Sequence, residues 1–195
     1  AGVVDLSPVK DVENILLLSQ LGVVTGDILA DILLGKVNPS GKLSTTWASV
    51  KDYRFIEEFG GIDNTRYVEG VYVGYRFFDS ANIKPLFPFG YGKSYTDFKM
   101  NVEKVTSTEK GKITIDITVE NVGKYPGKEV VQIYVSPPQE NKDKPYQSLV
   151  AFKKTKLLEP EESETLSLTF KLKDLKRYCE KNAAYVLDKG DYIVR

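Results

Sequence analysis

From Asp97 onward apolar and polar residues alternate with a period of two, and this constrains the fold more than any other feature. The alternation is clearest in "ITIDITVE" (113–120) and "LSLTFKL" (166–172), where every second side chain is apolar. Successive side chains of a strand point to opposite faces, so such a stretch builds a strand with one buried and one wet face. The succession is "KMNVEKVTST", "KITIDITVENVG", "GKEVVQIYVSPP", "SLVAFKKTKLL", "ETLSLTFKL", "AAYVLD" and "DYIVR". Turn formers separate them, including "NVGKYPGK", "LEPEES" and "DKG". "LKDLKRYCEKN" (172–182) predicts a short helical turn among them.

Short strands at this spacing, within roughly 100 residues, predict an immunoglobulin-like β-sandwich. An antibody domain pairs two cysteines across a tryptophan. Here Cys179 is the single cysteine, which favours the fibronectin type III form. One cysteine also means no intrachain disulfide, which fits a reducing compartment and a cytoplasmic location. The thiol is expected to be packed or partly exposed rather than reactive. With no histidine in the chain, a Cys–His pair, a Ser-His-Asp triad and the usual zinc sites are excluded within it. No cofactor and no metal are expected. The 27 basic residues balance 27 acidic ones, so no basic excess invites nucleic acid or an anionic membrane. No apolar run is long enough to span a bilayer.

The first half reads differently. "VENILLLSQ" (12–20) is a continuous apolar run, as expected of a strand covered on both faces. In "LGVVTGDILADILLGK" (21–36), Ile28, Leu29, Ile32 and Leu33 form one helical stripe. Thr25 is the expected N-cap, Asp27 suits the positive end of the dipole, and Gly35 suits the C′ position. A buried strand needs neighbours that residues 1–11 do not supply, so the chain is expected to be one piece of a larger assembly. Residues 36–96 are rich in Gly, Pro, Asn, Asp and Tyr. "YVEGVYVGYRFFD" (67–79) is expected to contain a short extended element with alternating aromatics. Aromatic content argues against disorder throughout this segment. The domain plan is therefore 1–50, the C-terminal part of an α/β domain; 51–96, a connecting segment; and 97–195, the β-sandwich.

Three ordered stretches, "GDILADILLGKVNPSGKLSTTW", "EGVYVGYRFFD" and "PLFPFGYGKSYTDF", resemble the C-terminal portion of glycoside hydrolase family 3, the β-glucosidases. The resemblance continues into the fibronectin type III-like strands and covers nearly the whole chain. It implies an α/β fragment followed by an all-β fibronectin type III-like sandwich. It also implies a retaining hydrolysis of terminal β-glucosyl residues in a β-glucoside or oligosaccharide, using two carboxyl groups about 5 to 5.5 Å apart. In the family the nucleophile is an Asp on a separate (β/α)8 barrel domain, and the acid/base is commonly a Glu on an upstream loop. Neither position has a counterpart here, so the resemblance implies no catalytic residue in this chain and a missing barrel domain as its partner.

The chain's own acidic loop residues, Glu57, Glu58, Asp63, Glu69 and Asp79, are read as solvated. Arg76 is expected to pair with a carboxylate or stack on a ring. Trp47 is expected to be a packed ring rather than a sugar platform. Gln20 is the one candidate placed beside substrate, because ligands of open α/β sheets lie beyond the carboxyl ends of the strands. The alternative function is a non-catalytic carbohydrate- or protein-binding module. It requires an exposed aromatic row from Tyr134, Tyr146, Phe152 and Phe170, and period-2 parity points most of these inward.

Overall fold

The computed structural model describes residues 3–9, 11–53, 63–140 and 144–195. The chain divides into two compact units, one of residues 1–37 with 41–92, the other of residues 38–40 with 93–195.

In the first unit, helix α1 (Thr25–Leu33) forms where the apolar stripe predicted it. Ile32 is buried, Ile28 and Leu29 are half-buried, and Leu33 at the end of the stripe is exposed. Gly35 stops the helix at φ +71°. Its N–H donates to the Ile32 carbonyl at 3.0 Å and that of Lys36 to the Asp31 carbonyl at 2.9 Å. This doubly closed end requires a left-handed residue, which glycine supplies without a Cβ clash. The start differs from expectation. A 3-10 turn over Gly22–Val24 runs straight into the helix, so Val24 stands at the cap and Thr25 is already helical. The Thr25 hydroxyl accordingly donates back to the Gly22 carbonyl at 2.7 Å.

The strand expected over 12–20 does not form. Ile15, Leu16 and Leu17 are 47, 38 and 47% exposed. A strand is held by ladder bonds to neighbours, and among the described residues of this unit the β pairing is confined to an isolated bridge, Trp47 with Phe87. Around that bridge, residues 43–47 and 87–91 run antiparallel. Leu43 receives the Gly90 N–H on its carbonyl at 2.7 Å and donates to the Tyr91 carbonyl at 2.8 Å.

Residues 75–80 also depart from the extended form predicted for 67–79. Gly74 at φ +58° turns the chain, and helix α2 (Tyr75–Ser80) follows. Residues three apart share a helix face. Tyr75 meets Phe89 at 4.8 Å between ring centroids and Phe78 meets Tyr53 at 5.2 Å. The core of the unit is Ile32, Trp47, Ala48 and Phe78.

The second unit is the sandwich. Its strands are β1 (Phe98–Ser107), β2 (Lys112–Asn121), β3 (Val130–Ser136), β4 (Ser148–Lys154), β5 (Ser163–Lys171), β6 (Arg177–Cys179), β7 (Ala184–Val186) and β8 (Ile193–Val194). The sheets are antiparallel, ordered β1-β2-β5 and β4-β3-β8, with β6-β7 as a separate hairpin. The period-2 pattern maps directly onto burial. Ile115, Ile117 and Val119 of β2 and Leu166, Leu168 and Phe170 of β5 enter one core with Val131, Ile133, Val135 and Leu158. The alternate positions make rungs across the outer face. Thr114 bonds Thr169 at 3.0 Å, Thr118 bonds Thr165 at 2.9 Å, and Ser167 donates to Asp116 at 2.6 Å. Strand β6 was not foreseen within 172–182, where the helical turns Leu172–Leu175 and Glu180–Asn182 flank it.

Candidate functional site

The candidates from the sequence fall at separate places. Gln20 is exposed in an irregular segment, two residues before the turn Gly22–Val24, and not at the end of a strand. Glu57 and Glu58 lie outside the described residues. Asp63 is exposed, and Glu69 and Asp79 are half-buried. Arg76 lies over the Tyr75 ring, 5.9 Å from its centroid. Trp47 is a packed ring, 7% exposed, whose Nε1 donates to Thr45 Oγ1 at 3.1 Å. Cys179 is half-buried and free. Phe170 is in the core and Tyr134 is half-buried, its hydroxyl donating to Gln132 at 2.7 Å. Phe152 corrects the parity argument, for it is 70% exposed. It pairs with Gln132 and shares the outer side of its sheet. With Phe170 buried, the four rings do not make one exposed row.

What the structure builds instead are polar anchors. Asn38 belongs to the sandwich unit. Its Nδ2 donates to the Pro126 carbonyl at 2.9 Å, and its Oδ1 accepts from Ser94 Oγ and from the Tyr95 N–H, each at 2.9 Å. The backbone of Gly127 passes so close that a Cβ there would lie 2.8 Å from Asn38 Nδ2 and 2.9 Å from Thr96 Cγ2. Behind it Asn121, fully buried, accepts from Thr96 Oγ1 at 2.7 Å and donates to the carbonyls of Tyr125 and Leu158. Each polar atom of this amide is matched, as a buried amide demands.

The second anchor is ionic. Lys144 Nζ lies 2.6 Å from Asp188 Oδ2. Arg177 grips the same carboxylate in fork fashion, Nε to Oδ2 at 2.9 Å and Nη2 to Oδ1 at 3.1 Å. These bonds from Arg177 and Lys144 pull the Asp188 carboxyl down from 3.8 to about 2. Asp5 in the first unit is also lowered to about 2 by the bonds from Ser7, from the Val50 N–H and from Ser49. A general acid needs a carboxyl held protonated near neutral pH. Both of these groups are pushed the opposite way, so neither is held as a general acid. Among the described residues no group of three or more His, Cys, Asp or Glu could hold a metal ion. No described helix is long and apolar enough to cross a membrane. Sequence reasoning missed the ionic anchor because its members stand 44 and 11 positions apart, and Asp188 in "DKG" carried only a turn signal.

Two family models match this architecture. The glycosyl hydrolase family 3 C-terminal domain covers residues 1–95, and a fibronectin type III-like domain covers 129–195. The chain belongs to glycosyl hydrolase family 3. Beta-glucosidase A of Butyrivibrio fibrisolvens is 41% identical over 217 residues, covering 98% of this family 3 chain and 26% of that protein. The structure of β-glucosidase 3B from Thermotoga neapolitana in complex with α-D-glucose matches with a TM-score of 0.90 at 39% identity. That match covers 99% of this chain and 27% of the other. A β-glucosidase from Paenibacillus barengoltzii matches with a TM-score of 0.84 at 40% identity, over 89% of this chain and 20% of its own. The family 3 chain spans about a quarter of the length of the curated relatives it matches.

Proposed function

We propose that this family 3 chain is the scaffold-bearing C-terminal portion of a retaining β-glucosidase-like hydrolase that removes terminal β-D-glucosyl residues. The catalytic carboxylates belong to the rest of that enzyme, including a (β/α)8 barrel domain. The observation that carries the reading is the ordered match of both units to β-glucosidases, one of them solved with glucose bound. Asp5 and Asp188 are each taken up in hydrogen bonds within their own unit, which suits a supporting part.

The test is hydrolysis of an aryl β-glucoside. The purified 195-residue chain releases no aryl alcohol, and activity appears when the remaining domains of the enzyme are supplied. Sustained turnover by the chain alone overturns the proposal.

A further inference from the structure

We draw no further inference here: the strongest candidate, the cross-strand Tyr178–Tyr185 pair standing 51 and 69% exposed on the β6-β7 hairpin, carries nothing because nothing in the structure shows what covers it.

Discussion

Asp188→Asn removes the carboxylate that Lys144 and Arg177 share. The Lys144 side chain is 5% exposed, Arg177 15% and Asp188 17%, so the three meet with little water between them. Two routes give the magnitude. Lowering the carboxyl from 3.8 to about 2 corresponds to roughly 2 kcal/mol of stability at neutral pH. Removing one member of a buried pair costs about 3–5 kcal/mol, because the charge left behind stays buried without its partner. Arg177 and Asp188 keep some solvent, so the expected loss lies near the lower figure, about 3 kcal/mol. In a unit of roughly 100 residues that lowers the unfolding midpoint by about 12 °C or more.

The assay is thermal unfolding of wild type and Asp188→Asn by circular dichroism at pH 7, repeated in steps to pH 2.5. A carboxyl lowered in the folded state contributes fully above its unfolded value of 3.8 and loses that contribution as pH falls toward about 2. The gap between wild type and variant is therefore full at pH 5 and closes through that window. Lys144→Met removes the nearly dry cation, so adding it to Asp188→Asn recovers part of the loss. A gap below about 0.5 kcal/mol at pH 7, the usual size of a surface effect, would refute the reasoning. So would a gap that does not change between pH 5 and pH 2.5.

Asn38→Ala deletes the three hydrogen bonds to the Pro126 carbonyl, Ser94 and the Tyr95 N–H, for an expected loss of about 1 kcal/mol in urea unfolding. A change within about 0.3 kcal/mol counts against the anchoring role. Leu166→Ala empties a site that is 1% exposed in the buried row of β5, for an expected loss of about 2–5 kcal/mol by the same measurement.

Legibility in the sequence followed the amount of local information each element carries. β2 and β5 could be read because each is buried on one face, and burial then repeats every second residue. α1 could be read because its stripe and Gly35 lie within one short window. The run at 12–20 misled because apolar length announces that something must be covered without naming a ladder partner. α2 was missed because its aromatics alternate in sequence, while the helix is set by packing Phe78 against Tyr53 and by the turn at Gly74. The ionic anchor left no sequence signal, since Lys144 meets Asp188 only after β5 and the β6-β7 hairpin have been laid between them.

Asn38 shows how a recognisable motif and a reactive one come apart. "NPSG" helped to mark the family, yet the structure gives its amide three partners inside the sandwich unit and no reacting role. A side chain that meets one hydrogen-bond acceptor and two donors at fixed spacing is exacting, because a side chain of another shape cannot reproduce all three bonds. The close passage of Gly127 adds a steric condition, since a Cβ there would press on Asn38 and Thr96 together. Two positions 89 residues apart in sequence thus restrict each other through one small contact. Such mutual restriction is enough to make a stretch distinctive in sequence without any chemistry on substrate. The demands on Asn38 can be met wholly by holding the polypeptide where it leaves the first unit and joins the second.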